Sequence, residues 1–291
     1  RRGVMRKLLL AVSAFTAYLC AALGAGFVDA FVLEPNWLKM ERVTVASPAL
    51  AASLGPLTIA QLSDLHLRGA CGFLEEQILR TLARIRPDVL FYTGDLVSRR
   101  EALEEFWRFA RRAAPRLWSY AIPGDDDEAL INDRWRDPAW RKAGVALLVN
   151  EVVPLRLPGG GDRALWLVGA GPDFPWGSYR DKIPEGEAVL VLAHRPAEIK
   201  HAAIRGAGMV LSGDTHGTQL GIPALRRFSA YARRGPYMAG LYRVKETLLY
   251  VSRGTGWKAR PIRFFCRPEL TVFRFVSSGA TSEITVLPGD E

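Results

Sequence analysis

The residues able to do chemistry in this chain gather at the ends of apolar runs. Residues 57–63 (Leu-Thr-Ile-Ala-Gln-Leu-Ser) form a β-prone stretch that stops at Asp64, and His66 follows two positions later. A buried strand ending in Asp-x-His presents two types of metal ligand at its carboxyl end, where open α/β sheets place their sites. One such pair arises often by chance. Four more apolar runs, at 89–93, 117–122, 188–193 and 209–212, lead to Asp95, Asp125, His194 and the pair Asp214/His216. Three of the four histidines therefore sit at strand ends, and His201, on a helical pattern, reads as a surface residue. Gly94, Gly124 and Gly213 each precede one of the carboxylates and are expected to let the backbone turn tightly there. Carboxylates and imidazoles converging on one cleft suit divalent cations that share a bridging carboxylate, an arrangement used to hydrolyse phosphoesters.

The elements that must position these residues alternate between strand and helix from Pro56 onward, which predicts a layered α/β fold. Leu74, Ile78, Leu82 and Ile85 recur at helical spacing and predict a helix over 73–85, and a second amphipathic helix is expected over about 101–113. The stretch holding Trp135 and Trp140 is also expected to be helical. Short strands are expected at 145–149, 152–157 and 164–169, the last two joined by a turn through Gly159, Gly160 and Gly161. That glycine run joins strands rather than opening a helix, so it is no phosphate cradle. Strands at 240–244, 247–252 and 270–275 complete the pattern. No repeat or linker divides residues 36–291, which read as one domain.

Composition narrows the partners. At 291 residues and 49% hydrophobic, the chain can bury a large core. A net charge of +9 favours anionic partners: phosphorylated substrates, lipid head groups or nucleic acid. No nucleic-acid recognition motif is present, so nucleic acid is not expected, and nothing identifies a protein partner. The three cysteines are scattered, which excludes a disulfide framework and a zinc ribbon. Arg226, Arg227, Arg233 and Arg234, interleaved with Phe228, Tyr231 and Tyr237, form a candidate basic lip for phosphate or a membrane surface. The plainer reading is a solvated loop with buried aromatic residues, and Trp257 is likewise read as a core residue.

Arg1, Arg2, Arg6 and Lys7 precede an uncharged run over 8–28, and about 20 apolar residues suffice to cross a bilayer. Residues 1–35 are therefore expected to be a single membrane anchor, broken by Gly24, Gly26 and the step Glu34-Pro35. The basic flank predicts a cytoplasmic N-terminus and an exported domain. A cleaved signal peptide is the rival, although the apolar run is long for one.

Taken together, Ser63-Asp64-Leu65-His66, Thr93-Gly94-Asp95-Leu96-Val97, Pro123-Gly124-Asp125-Asp126-Asp127, Ala193-His194-Arg195-Pro196 and Gly213-Asp214-Thr215-His216-Gly217 resemble the calcineurin-like metallophosphoesterases. The ordered spacing covers about residues 57–256, and Glu34-Pro35, Asn150-Glu151 and Arg267-Pro268-Glu269-Leu270 are similar to a membrane-anchored branch. The resemblance implies a four-layer sandwich of two mixed β-sheets flanked by helices. It implies two divalent cations, Mn²⁺ or Mg²⁺: Asp64, His66 and His216 would hold the first, Asp95 would bridge, and the residues at 125, 194 and 214 would hold the second. Position 126 would assist catalysis at the leaving group. Some members of the branch hydrolyse UDP-2,3-diacylglucosamine in lipid A synthesis and others are general phosphodiesterases, so the implied partner is a phosphorylated lipid or nucleotide-linked substrate at a membrane. An exported domain sits uneasily with lipid A precursors, which are made on the cytoplasmic face.

Three positions depart from that pattern. Asp125 stands for asparagine, Asp126 for histidine and Asp214 for histidine. The replacements at 125 and 214 still offer oxygen ligands and harden the site towards Mg²⁺, Mn²⁺ or Ca²⁺. Asp126 can deputise for an imidazole only if its pKa is raised. The expected function is hydrolysis of phosphoester or pyrophosphate bonds. The alternative is a catalytically degenerate relative that binds an anionic ligand or lipid head group without turnover.

Overall fold

In the computed structural model, which describes residues 2–155, 164–171, 173–222, 224, 228–229, 231, 234–258, 260–279 and 281–282, the chain opens with helix α1 (Arg2–Val28). Its described side chains are almost all exposed, and the apolar span Met5–Asn36 is long enough to cross a bilayer. Gly24 and Gly26 do not break it, contrary to expectation. An interior glycine costs a helix only about 1 kcal/mol, too little to stop an otherwise apolar run. The helix instead ends through a π turn, Asp29–Leu33, and a 3-10 turn, Glu34–Asn36. There Glu34 is buried, and its carboxylate accepts the backbone N–H groups of Phe265 (2.7 Å) and Cys266. The Arg263 N–H also donates to the Ala30 carbonyl at 2.9 Å, so the end of this candidate membrane span is joined to the rest of the chain.

Strand β1 (Lys39–Ala46) and helix α2 (Pro48–Leu54) come next and were not legible as elements. Lys39, Glu41 and Arg42 hide the alternation of an edge strand that pairs only with the C-terminal strand. Ser47 accepts the Leu50 N–H and Pro48 opens the helix, a start signal of the ordinary kind. The remaining order is β2 (Ile59–Leu62), α3 (Phe73–Ile85), β3 (Val89–Thr93), α4 (Leu103–Arg112), β4 (Trp118–Ile122), α5 (Asp125–Ile131), α6 (Ala139–Lys142), β5 (Val145–Leu147), β6 (Glu151–Leu155), β7 (Leu165–Ala170), β8 (Ala188–Ala193), α7 (Ile199–Ile204), β9 (Met209–Ser212), β10 (Gly240–Val244), β11 (Thr247–Val251) and β12 (Glu269–Val276). The stretch around Trp135 holds only a 3-10 turn and the short α6, because Pro138 divides it. The glycine turn at 159–161 lies outside the described residues, while β6 and β7 pair antiparallel on either side of it.

Two six-stranded mixed sheets result, in the orders β1-β12-β2-β3-β4-β5 and β10-β11-β9-β8-β7-β6. Strand periodicity assigns their faces. Val89 and Phe91 enter the core between the sheets together with Leu190, Leu192, Met209 and Leu211. Their neighbours Leu90 and Tyr92 turn outward to α3 and α4, while Val189 and Val191 turn outward to α7. Three hydrophobic layers thus separate four layers of structure, as expected. Helix α2 closes the edge of the central core with Leu50 and Leu54, both fully buried. Leu50→Ala is expected to cost about 2–5 kcal/mol in chemical denaturation of the full chain, since no solvated position is available to the side chain.

Candidate metal centre

Strands β2, β3 and β4 of one sheet and β8 and β9 of the other run parallel within their sheets, and their carboxyl ends meet at one cleft. Asp64, His66, Asp95, Asp214 and His216 each leave their strand with left-handed backbone, φ between 47° and 68°. Such conformations cost roughly 1–3 kcal/mol each in non-glycine residues and persist only where the surroundings over-determine them. Here the Asp64 N–H donates to the Gly94 carbonyl and the His66 N–H to the Asp95 carbonyl, both at 2.9 Å, while Gly256 donates to the Asp64 carbonyl at 2.7 Å. The glycines serve mainly for close approach. Gly94 does take φ 93°, but Gly124 has φ −103°. A Cβ at Gly124 would overlap Asp95, and one at Gly213 would overlap Ser63 Oγ and the Asp64 carboxylate.

Five of the expected ligands converge as buried side chains. Donor atoms of Asp64, His66 and His216 lie within 4.8 Å of one another, as do those of Asp64, Asp95 and His194. His66 and His216 point their Nε2 atoms at each other, 3.2 Å apart, and Asp64 Oδ1 is 3.3 Å from His216 Nε2. His194 engages the Thr93 carbonyl through Nδ1 at 2.8 Å, which leaves its buried Nε2 turned to Asp95 Oδ2 at 3.5 Å, with no closer hydrogen-bond partner among the described residues. Ser98 lies 3.0 Å from His66 Nδ1 and orients that ring from behind. Inward-turned lone pairs on buried imidazoles and carboxylates fit a divalent cation.

The charges are strongly coupled. Burial pushes the Asp64 carboxyl up to about 6. Burial also works against Asp95, but the His194 and His66 imidazoles and the Asp126 N–H outweigh it and hold that carboxyl well below its ordinary range. His194 is pulled above its usual value by Asp95 despite burial, whereas burial and the neighbouring His66 push His216 down. Asp127, fully buried, accepts N–H groups from Gly124, Leu96 and Val97, yet burial followed by the Asp95 charge pushes it up to about 7. It ties α5 to the loop after β3, a role that the motif reading did not assign.

The replaced positions behave differently from the other five. Asp125 receives Arg195 Nε at 2.9 Å and Arg234 Nη1 at 3.2 Å, and Asp214 is in direct contact with Arg234. Asp126 lies 3.4 Å from His66 Nδ1 and 2.6 Å from Lys258 Nζ. Burial would raise the Asp126 pKa, but His66 and Lys258 lower it on balance, so its carboxyl is ionised and holds no proton to donate. Lys258, 3.9 Å from Asp95, was missed by sequence reasoning; its signal is a lysine two positions after Gly256, whose backbone grips Asp64. Of the candidate basic lip, Arg226, Arg227 and Arg233 lie outside the described residues, and Arg234 faces the cleft. Tyr231 and Tyr237 are buried as read, while Trp257 is half-buried under the Arg68 guanidinium, 3.9 Å from its ring centroid.

Two cavities flank the cleft. One, of about 410 Å³, reaches from Asp125 and His194 to Phe174, Trp176 and His201. His201 is exposed as expected and stacks on Trp176 with ring centroids 5.8 Å apart. The other, of about 240 Å³, runs between His66, Arg68 and Trp257 and the anchor residues Phe31 and Pro35.

The sequence profile of the calcineurin-like phosphoesterase family matches residues 57–218. The uncharacterized metallophosphoesterase YkuE of Bacillus subtilis is 24% identical, over 92% of this chain and 94% of its own. Phosphodiesterase YaeI of Escherichia coli is 28% identical, over 88% of this chain and 94% of its own. The UDP-2,3-diacylglucosamine pyrophosphatase LpxG of Chlamydia trachomatis is 28% identical, over 83% of this chain and 90% of its own.

A cation entering the cleft must displace the proton that Asp64 keeps below about pH 6 and the one that Asp95 holds on His194. Mn²⁺ affinity is therefore expected to rise, by roughly tenfold or more between pH 5.5 and 8, with proton release on binding. Calorimetry in buffers of different ionisation enthalpy measures both; an affinity flat across that range would remove Asp64 and His194 as ligands.

Proposed function

Since this chain belongs to the calcineurin-like phosphoesterase family, we propose that it is a divalent-metal-dependent hydrolase of phosphoester or pyrophosphate bonds in a lipid- or nucleotide-linked substrate, with UDP-2,3-diacylglucosamine as the candidate to test first. The observation that carries this reading is the burial of Asp64, His66, Asp95, His194 and His216 around one point, with His194 Nε2 turned to the Asp95 and Asp214 carboxylates at 3.5 and 3.8 Å. In this reading Asp95 stands between two cation positions, one formed with Asp64, His66 and His216, the other with His194, Asp125 and Asp214. Mn²⁺ or Mg²⁺ held there supplies Lewis-acid activation of water and of the phosphoryl oxygen.

The chain's own residues supply the rest. Lys258 points an ammonium into the cleft between Asp126 and Asp95, where it can accompany negative charge building on the phosphoryl group or the leaving oxygen. Asp126, ionised, positions Lys258 rather than acting as the acid. The cavity beside the anchor opens the cleft towards the level at which lipid head groups would lie, and the stacked pair Trp176 and His201 offers a flat aromatic wall to a base or sugar on the other side. The relatives support the substrate class: LpxG is named for a lipid-linked nucleotide and YaeI for phosphodiesters. Residues 1–35 form the anchor and 36–291 the catalytic unit, with a cytoplasmic N-terminus. One observation favours the alternative, a binder without turnover: the carboxylates at 125 and 214 are already engaged by arginine.

The full chain in detergent with Mn²⁺ is expected to hydrolyse bis(p-nitrophenyl) phosphate and UDP-2,3-diacylglucosamine, and EDTA should abolish both activities. Lys258→Met should lower the rate about 10²-fold while Mn²⁺ stays bound, since an ammonium beside Asp95 and Asp126 opposes the cation rather than holding it. Full metal occupancy without turnover of either compound would leave the binder as the reading. Protease treatment of spheroplasts is expected to digest the domain and spare an N-terminal fragment; protection of the whole chain would place the cleft on the cytoplasmic side.

A further inference from the structure

We infer that Arg234 takes the place of a second cation, so that the resting protein holds one divalent ion and admits another only when this guanidinium is displaced. The inference rests on the metal-dependent reading of the cleft. Arg234 Nη1 lies 3.2 Å from Asp125 Oδ2 and directly against Asp214 Oδ1. That Asp214 oxygen is the one turned towards His194 Nε2, 3.8 Å away. One guanidinium nitrogen therefore meets two of the oxygens that a cation between Asp125, His194 and Asp214 would need.

The other half of the cleft is arranged differently. Among the described residues the close groups of donors are Asp64 with His66 and His216, Asp64 with Asp95 and His194, and His66 with Asp95 and Asp126; His194 alone belongs also to the position Arg234 occupies, and Asp125 and Asp214 belong to none of the groups. Their oxygens are turned to arginine instead. Arg195 adds a second guanidinium on Asp125 at 2.9 Å. Two carboxylates are thus matched by two fixed positive charges, the same total that one divalent ion would bring.

Burial favours a cationic partner for the Asp214 side chain. Asp214 is 5% exposed, and its backbone N–H is committed to Asp64 at 3.2 Å. A buried carboxylate without a counter-charge is strongly unfavourable. Arginine is charged at every accessible pH and offers a planar fork suited to carboxylates and phosphates. A guanidinium and a metal ion on the same oxygen would repel each other, so the two compete for one position. The aspartates at 125 and 214 fit this assignment, because asparagine and histidine would give a guanidinium no charge to pair with. Seated there, Arg234 brings phosphate-compatible positive charge to the cleft without a second metal.

The test is a count of bound metal on the full chain in detergent. Calorimetric Mn²⁺ titration, elemental analysis after gel filtration and electron paramagnetic resonance report occupancy independently of turnover. The wild-type chain should retain one Mn²⁺ and give a mononuclear spectrum. Arg234→Gln should retain two, with a spin-coupled spectrum and a second site at least tenfold tighter than in the wild type. Asp125→Asn combined with Asp214→His, which removes the partners of the arginine and keeps ligand atoms, should also retain two. A wild-type chain that holds two tightly bound, coupled ions overturns the inference and leaves the metal-dependent reading intact, as does an Arg234→Gln chain that stays at one. No bound Mn²⁺ in the wild type or either variant overturns the metal-dependent reading itself.

Discussion

A buried, ionised Asp95 is the constraint on which the rest of this structure depends. Its carboxylate lies at 2% exposure between the imidazoles of His66 and His194, accepts the Asp126 N–H at 2.9 Å and faces Lys258. A charge so placed must be surrounded by positive or hydrogen-donating groups, and those groups come from four separate loops. The loops can meet only if two sheets bring their strand ends together. The sandwich is therefore the scaffold that this electrostatic requirement needs, and the three hydrophobic layers supply the rigidity that keeps like charges close.

The strain at the site follows from the same requirement. Acidic side chains repel one another, and left-handed backbone at Asp64, Asp95 and Asp214 is intrinsically unfavourable. Both are tolerated because adjacent loops grip one another through main-chain hydrogen bonds, to which the Asp64 and Asp95 carboxylates add one backbone N–H each. Asp127 illustrates this division. It faces away from the reacting groups and spends its oxygens on three backbone N–H groups, so that Asp95 and Asp126 keep their places.

Much of this was legible in the sequence, for reasons that can be named. Helix α3 and strands β3, β8 and β9 fall where the hydrophobic pattern puts them, because the helix buries one stripe and each of these strands is buried throughout. Candidate ligand positions were readable because abrupt apolar-to-ionisable junctions mark strand ends. Strand β1 was hidden because an edge strand with three charged residues lacks that contrast. The engagement of Asp125 and Asp214 by Arg234 was also hidden: a loop arginine 20 residues after Asp214 carries no local pattern that fixes its partner. The opposite error was reading glycine as a turn signal throughout. At Gly213 and Gly124 what matters is the space that a Cβ would fill, which only the packed structure reveals.

The joint at Glu34 sets a geometric limit on what the cleft can reach. The buried carboxylate clamps the end of the N-terminal apolar span to the segment 265–266, and Cys266 Sγ in turn donates to the His216 carbonyl at 3.3 Å. No length of free chain separates the helix from a residue of the metal centre. With α1 in a bilayer, the cleft then stands at one height and one tilt above the lipid, in contrast to a domain on a flexible tether, which would sample a volume. Such a mount would act as a ruler. Among molecules that diffuse laterally in the same leaflet, those whose scissile bond lay at the matching depth would be selected, and chemically identical bonds set nearer to or farther from the acyl chains would pass beneath or beyond the cleft.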